Sequence, residues 1–242
     1  QINLPDSIRY MGFRSFRETA LTEVKIPKSM RIIDGEVFIS AKIKSVIIQE
    51  GVETISFNAF YNTLLEKINF PSTLKELDNS AFGFCSNLSE IDLSKNTNFV
   101  YESGMLMTKE KNEIKFISGK VLKSSNIFEI PEGLVNFDTD ISQYVNLTKI
   151  IIPTTLTYID AERLPQSISE IEVMSGNNKF VSEDNMLYTK GSYELVCCYS
   201  KETEIKIKEG IKILDRWSFI FATNAEYITL PDSLLSINTC VF

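Results

Sequence analysis

The chain has 242 residues, of which 43% are hydrophobic and 24% charged, a composition typical of folded globular proteins rather than disordered or collagen-like ones. It carries 25 basic and 32 acidic residues, a net charge of −7, so a nucleic-acid or anionic-membrane partner, which needs basic patches, is not expected. The sequence contains no histidine, which excludes Ser–His and Cys–His nucleophile pairs and histidine-based zinc sites. No apolar run approaches the roughly 20 residues of a membrane span.

The first part of the chain repeats one apolar pattern every 22 residues. Successive copies begin at Leu4, Ile26, Ile48 and Phe70. A fixed period between 20 and 29 residues is typical of a leucine-rich-repeat solenoid. One aromatic position recurs in every copy, at Phe16, Phe38, Phe60 and Phe82. We expect these rings to stack in one continuous interior, because neighbouring repeats of a solenoid bury each other's apolar side.

Each repeat closes with apolar residues at positions i, i+3 and i+5, as in Leu65, Ile68 and Phe70. This alternation is what a short strand with one buried face requires. Stacked repeats place such strands side by side. The predicted fold is therefore a right-handed α/β-type leucine-rich-repeat solenoid, with a parallel sheet of short strands on one face and little helix.

Two inserts interrupt the period. The predicted regular repeats cover residues 4–93, 130–173 and 207–242, and the inserts cover residues 94–129 and 174–206. Phe180–Lys190 matches Phe99–Lys109 at seven of eleven positions, at an offset of 81 residues. Both inserts have the pattern of hairpins that turn near Lys109–Asn112 and Lys190–Ser192. We expect them to add strands to the solenoid wall.

The repeats between residues 130 and 173 depart from the pattern, because Ser142 and Leu164 stand where phenylalanine belongs. These two coils are predicted to be the least well packed of a single solenoid domain over residues 1–242. A solenoid needs a polar cap at each end, and neither end of the sequence shows one. We therefore expect the chain to be part of a longer protein.

The repeating unit, I-P-x-S/G-V-x-x-I-x-x-x-A-F followed by L-x-x-I-x-I-P, resembles the BspA-type leucine-rich repeats. The Asn-x-x-Phe and Met-Leu elements of the inserts are similar to those that such proteins commonly carry, and the resemblance covers essentially the whole chain. It departs from the family pattern at Ser142, Arg163 and Leu164. The resemblance implies a secreted or surface-anchored protein, often bacterial and host-associated, in a family whose best-known members take part in adhesion. It implies no catalytic residue.

The residues between the buried positions of each strand are predicted to face outward and to form a candidate binding face. They are Glu23, Lys25, Ser45, Ile47, Lys67, Asn69, Glu90, Asp92, Lys149, Ile151, Glu170, Glu172, Tyr227 and Thr229. Adjacent strands lie about 4.8 Å apart, so these strands with the inserts would span on the order of 45 Å, enough to dock a protein. The alternative is a solvated sheet face, with function on the opposite side, in the inserts or in further domains.

Two pairs of carboxylates invite a glycosidase interpretation, Glu90 with Asp92 and Glu170 with Glu172. Residues i and i+2 of a strand are about 6.6 Å apart, close to the separation that inverting enzymes use. An open sheet, however, offers no burial that would raise the pKa of one acid and leave the other low. Neither catalysis nor a metal site is therefore expected here.

The four cysteines are too few to form a disulfide scaffold. Cys85 occupies a small-residue core position, and Cys240 lies several coils away, beyond the roughly 7 Å limit for a disulfide. Cys197 and Cys198 are consecutive on a predicted strand, so their side chains should point to opposite faces. Free thiols are the expected state, with a vicinal disulfide or a metal site as alternatives. Asn87 and Asn146 fit the glycosylation acceptor pattern.

Three functions remain open at this point. The first is a cell-surface or secreted module that binds a protein, with a host matrix or cell-surface protein as the suspected partner. The second is a structural spacer that displays another domain, and the third is a carbohydrate-binding or carbohydrate-active module. No nucleic acid, membrane insertion or cofactor is expected, and the predicted oligomeric state is a monomer.

Overall fold

The computed structural model describes residues 2–242, which form two compact units. Unit 1 contains the residues up to Ser124 together with Thr139–Ile141, and unit 2 contains Ser125–Asp138 with Ser142–Phe242. Each unit is built of stacked coils with short parallel strands and almost no helix, which confirms the predicted leucine-rich-repeat solenoid fold. The prediction that residues 1–242 form a single continuous solenoid domain stays a prediction.

The coils of unit 1 carry two parallel sheets. The strands are β1 (Glu23–Ile26), β2 (Ile32–Ile33), β3 (Ser45–Ile48), β4 (Thr54–Ile55), β5 (Lys67–Asn69), β6 (Glu76–Leu77) and β7 (Glu90–Asp92). The predicted sheet, here called the main sheet of unit 1, has the strand order β1-β3-β5-β7. A second sheet, β2-β4-β6, lies further along each coil and was not predicted. Both sheets pair residues that are 22 positions apart, such as Val24 with Val46 and Ile33 with Ile55.

The predicted phenylalanine stack fills the interior of unit 1. Ring centroids are 5.3 Å apart for Phe16–Phe38 and for Phe38–Phe60, and 5.7 Å apart for Phe60–Phe82. The ring planes are nearly parallel, and the last three rings are fully buried. The stack confirms that successive coils share one apolar core, whose aromatic contacts add to the free energy of simple burial.

The first insert is a three-stranded antiparallel sheet of β8 (Phe99–Glu102), β9 (Met105–Thr108) and β10 (Ile114–Ile117). It has the predicted turn after Thr108 and a second, unpredicted turn at Ser103–Gly104, where both residues have positive φ. Its strands pair with each other and not with the repeat strands β1-β3-β5-β7. It packs instead on the phenylalanine core, with Phe99 against Phe70 and Phe116 against Phe82 in edge-to-face contacts.

A short helix, α1 (Gly119–Lys123), follows the first insert. Its N-cap is Ser118, whose hydroxyl accepts a hydrogen bond from the amide of Lys120 and donates one to the carbonyl of Leu88. The cap therefore ties the helix to the last repeat of unit 1.

Unit 2 repeats this plan with more strands. They are β11 (Ile127–Glu129), β12 (Asn136–Phe137), β13 (Lys149–Ile152), β14 (Tyr158–Ile159), β15 (Glu170–Val173), β16 (Phe180–Glu183), β17 (Met186–Thr189), β18 (Glu194–Cys198), β19 (Glu204–Lys206), β20 (Ile213–Leu214), β21 (Tyr227–Thr229) and β22 (Ser236–Ile237). The sheets are β11-β13-β15, β12-β14, β19-β21 and β16-β17-β18-β20-β22. The second insert supplies β16, β17 and β18, and β18 pairs in parallel with β20. Here the insert does add strands to the wall, as predicted.

The two irregular coils of unit 2 bury apolar side chains in spite of the missing phenylalanines. Tyr144 and Leu164 are both buried near the positions where phenylalanine is missing. A 3-10 helix at Ala161–Arg163, capped by the carboxylate of Asp160, replaces the usual turn there. The altered backbone brings a different set of apolar side chains inward.

Candidate binding face

The outward residues of the main sheet of unit 1 lie where the sequence predicts them. Six are exposed and two, Ser45 and Asn69, are half-buried. Glu23, Ser45, Lys67 and Glu90 are register partners on four neighbouring strands. Lys25 is beside Ile47 in the next row, and Ile47 is 54% exposed. The face is thus polar at its edges and apolar near its middle.

Two shallow depressions meet at Ile47. One, of about 540 Å³, is lined by Glu23, Lys25, Ser45 and Lys67 among others. The other, of about 400 Å³, reaches across the carboxyl ends of the strands to Phe70. Ile47 lines both, so it forms the ridge between them. A partner that follows this face would cover the isoleucine from both sides.

Two of the predicted face residues are engaged within the chain. The amide group of Asn69 exchanges two hydrogen bonds of 2.8 Å with the backbone of Ile48. The carboxylate of Asp92 accepts a hydrogen bond of 2.9 Å from the amide of Ser94. This bond holds the pKa of the Asp92 carboxyl below its ordinary value. These side chains shape the edge of the sheet, and Lys25, Ile47 and Lys67 remain open to a partner.

In unit 2, Lys149 joins two of the predicted acids. Its Nζ atom lies 2.7 Å from Glu170 Oε1 and 2.8 Å from Glu172 Oε2. These two hydrogen bonds raise the pKa of the Lys149 ammonium. Ile151 is half-buried beside this cluster, whereas Tyr227 and Thr229 are exposed on the separate sheet β19-β21.

Four outward residues of unit 2 were missed. Ile127 and Glu129 on β11 are register partners of Lys149 and Ile151. Glu204 and Lys206 on β19 are register partners of Tyr227 and Thr229. The signal was present in the sequence, because Ile127-Phe-Glu-Ile130-Pro131 has the same strand-to-proline pattern as the regular repeats.

The arrangement of the acids does not favour acid–base chemistry. Glu170 and Glu172 share one lysine, and the pKa of Asp92 is lowered, whereas a general acid needs a raised one. Among residues 2–242, no three cysteine, aspartate or glutamate side chains lie close enough together to hold a metal ion. The outward carboxylates of the repeat strands are exposed to solvent.

The four cysteines are free in the structure. Cys85 is fully buried, its Sγ donates to the carbonyl of Phe60, and burial raises its pKa to about 11. Cys198 packs in the core that contains Met186 and Tyr188, and Cys197 lies outside that cluster, so consecutive side chains do point in opposite directions. Burial also raises the pKa of Cys197.

The structure has no helix, within the residues it describes, that is long and apolar enough to cross a membrane.

Comparison with known proteins agrees with the geometry. The profile of the BspA type leucine-rich repeat region matches residues 9–129 and 191–242, in six copies. A leucine rich cell surface protein from Faecalibacterium prausnitzii A2-165 shares the fold with a TM-score of 0.57 at 18% identity, over 88% of this chain and 55% of that one. A leucine-rich repeat protein from Eubacterium ventriosum ATCC 27560 is 19% identical over 90% of this chain and 50% of that one, with a TM-score of 0.43. The chain thus spans about half the length of these two proteins. No curated protein sequence matches it.

Proposed function

Since the chain belongs to the BspA-type leucine-rich repeat family, we propose that it is a non-catalytic, protein-binding module that acts at the cell surface or after secretion. The binding surface is the outward face of the repeat strands, and in unit 1 its centre is Ile47. The partner is a protein of the host matrix or of another cell's surface. The module binds as a monomer and needs no cofactor.

The observation that carries this proposal is the position of Ile47. A large apolar side chain, 54% exposed, stands between two depressions on a rigid sheet whose other outward residues are polar. Truncation of such central apolar residues usually costs the most binding free energy in protein interfaces, while the polar rim excludes water. A sheet backbone that hydrogen-bonds to a neighbouring coil at every strand holds this side chain in place before binding, which lowers the entropy lost on association.

The charges around Ile47 support a protein partner. Lys25 and Lys67 lie in neighbouring rows and form no ion pair with any described residue of the chain. The carboxylates of Glu23 and Glu90 occupy the outer strands of the same sheet. Mixed charges of this kind set the orientation of a docked partner and its association rate more than its affinity.

Two further points support the proposed cell-surface location and the proposed absence of catalysis. The similar protein from Faecalibacterium prausnitzii is described as a cell surface protein. Glu170 and Glu172 share the ammonium of Lys149 and the pKa of Asp92 is lowered, whereas the general acid of a glycoside hydrolase needs a raised pKa.

Surface plasmon resonance against purified collagen, laminin and fibronectin tests the proposal. Ile47→Asp should weaken binding of the recognised protein by about tenfold or more, because it places a charge at the centre of the interface. Leu64→Asp is the matched control, since Leu64 is an apolar side chain, 41% exposed, outside the strands of unit 1. Equal loss in both variants, or binding that survives Ile47→Asp, would contradict the assignment of this face. If no protein of the panel binds, the proposal of a matrix partner is overturned.

A further inference from the structure

A second surface of unit 1, outside the main sheet, has the form of a small aromatic notch. Phe13 and Phe57 are 52% and 47% exposed, although both are large apolar side chains. Their ring centroids are 6.4 Å apart and the ring planes are tilted by 41°. The two residues are separated by two repeats, and Gly35 occupies the equivalent position of the repeat between them.

Gly35 lies beneath the Phe57 ring. A Cβ atom at this residue would lie only 2.4 Å from Cε1 and 2.5 Å from Cζ of Phe57. The Phe57 ring therefore lies directly over the Gly35 backbone and leaves its other side to solvent. Any side chain at position 35 would push this ring away, so the notch depends on the missing Cβ.

Arg14 forms one wall of the notch. The central carbon of its guanidinium lies 4.7 Å from the centroid of the Phe13 ring, and its Nε donates to Glu36 Oε2 at 2.6 Å. The ring and the carboxylate together fix the orientation of the arginine. The ion pair uses Nε, so the two terminal amino groups of Arg14 have no partner within the described chain.

Half-exposed aromatic rings beside an oriented arginine are typical of binding hot spots in protein interfaces. Aromatic residues and arginine are enriched at protein interfaces, and they dominate the measured binding energies. The free edge of a guanidinium presents two parallel N–H donors that match the two oxygens of a carboxylate. The same positive group would repel a lysine or arginine brought to the notch.

We propose that the notch formed by Phe13, Arg14, Gly35, Glu36 and Phe57 docks a protein segment that presents a large apolar side chain next to a carboxylate. The apolar side chain packs on the solvent-exposed faces of the two rings, and the carboxylate accepts from the terminal amino groups of Arg14. The Glu36 carboxylate holds Arg14 in place by accepting from Nε, on the other edge of the guanidinium. This site is independent of the main sheet and of the function proposed for it.

Selection from a displayed library of random dodecapeptides on the intact protein, followed by fluorescence polarisation with the enriched peptides, tests this inference. Enriched peptides should carry Asp or Glu within two positions of Phe, Trp, Tyr or Leu. Phe57→Ala and Arg14→Lys should each weaken their binding by about tenfold, since the first removes a ring and the second keeps the charge but loses the bidentate donor. Gly35→Ala should weaken it by about fivefold, because it displaces the Phe57 ring without changing any charge.

Arg31→Lys is the matched control, because Arg31 forms a similar exposed ion pair with Glu53 at 2.9 Å but makes no cation–π contact with a described residue. It should change peptide binding by less than about twofold. Ile47→Asp should also leave it unchanged, which separates this site from the main sheet. Thermal melting of each variant confirms folding, and Arg14→Lys tests the site even if a ring or glycine variant unfolds. No enrichment, enrichment of peptides without an acid, or binding retained by Phe57→Ala and Arg14→Lys would overturn the proposal.

Discussion

The side-chain amide of Asn96 donates a hydrogen bond of 2.7 Å to the backbone carbonyl of Pro71. The same amide donates a second bond, of 2.8 Å, to the carbonyl of Leu74. Both acceptors belong to the turn of the preceding coil, and the asparagine is only 6% exposed. A buried side chain thus satisfies two carbonyl groups that the first insert leaves without a neighbouring repeat.

Asn177 does the same in unit 2, 81 residues later. Its amide donates to Pro153 at 2.7 Å and to Leu156 at 3.0 Å, and it is 1% exposed. In both units the asparagine oxygen also accepts from a backbone amide two residues further along. Each insert is therefore attached to its array by the same polar anchor, the asparagine of its Asn-x-x-Phe element.

Loss of this anchor should strongly destabilise unit 1. Asn96→Ala removes the two bonds to buried carbonyls and the bond to the Asn98 amide, and it is expected to lower the free energy of unfolding by about 2–4 kcal/mol. Urea denaturation followed by circular dichroism measures the change. The exposed Asn87 provides the control, since Asn87→Ala should stay within about 0.5 kcal/mol of the wild type. Similar losses in the two variants would show that the buried bonds contribute little.

Two glycines at equivalent repeat positions should differ in their tolerance of a side chain. Gly51 has φ +124° and a Cβ there would lie 2.2 Å from the carbonyl oxygen of Lys28, whereas Gly133 has φ +93° and open space around it. Gly51→Ala should cost roughly 3 kcal/mol or more from backbone strain and the clash, and Gly133→Ala about 1 kcal/mol from strain alone. Thermal melts of the two variants would measure the difference. Equal melting temperatures would show that the coil can shift away from the added methyl group.

The thiols should react in two distinct classes. Three cysteines are buried and Cys240 is exposed, and the pKa of Cys85 is raised to about 11, so at pH 8 very little of the Cys85 thiolate forms. Titration of the native protein with a chromogenic disulfide reagent should modify Cys240 rapidly and the other three only after unfolding in urea. Cys240→Ser should abolish the fast phase. Rapid labelling of Cys197 or Cys198 in the native state would contradict their burial.

Acid should destabilise the fold partly through two exposed carboxylates that cap turns. Hydrogen bonds from Ser72 lower the pKa of Glu50, and hydrogen bonds from Thr154 lower the pKa of Glu132. Because each folded-state pKa lies below its ordinary value of 4.5, the resulting stability is present above pH 4.5 and is lost as the pH falls through the folded-state pKa. The variant Glu50→Gln/Glu132→Gln should therefore lose less stability than the wild type between pH 5 and pH 3. Parallel curves of unfolding free energy against pH would rule out this contribution.

The regular part of the fold could be predicted because the 22-residue period places the same residue type at each level of the stack. Phe38 and Phe60 are buried for this reason, and Ile47 is exposed because it alternates with buried Val46 and Ile48. The second sheet could not be predicted in the same way. Its strands are only two residues long, as in Ile32–Ile33, so no alternation is visible until the coils are stacked.

The candidate sites were harder to predict from the sequence than the fold. The outward direction of Asn69 follows from the strand pattern, but its bonds to Ile48 depend on where the neighbouring strand ends. Likewise, the notch at Phe13 and Phe57 arises from rings two repeats apart that meet over a glycine. Contacts of this kind depend on side-chain directions in turns, which the period does not specify.

The equal spacing of the phenylalanine rings also bears on how unit 1 assembles. Each ring meets a ring 22 residues away, so joining any new coil to its neighbour requires a loop of the same length to close. The entropy of loop closure is then nearly the same at every step, and the order of assembly depends on local apolar content alone. Structure can start at any adjacent pair of coils and grow outward, one turn at a time.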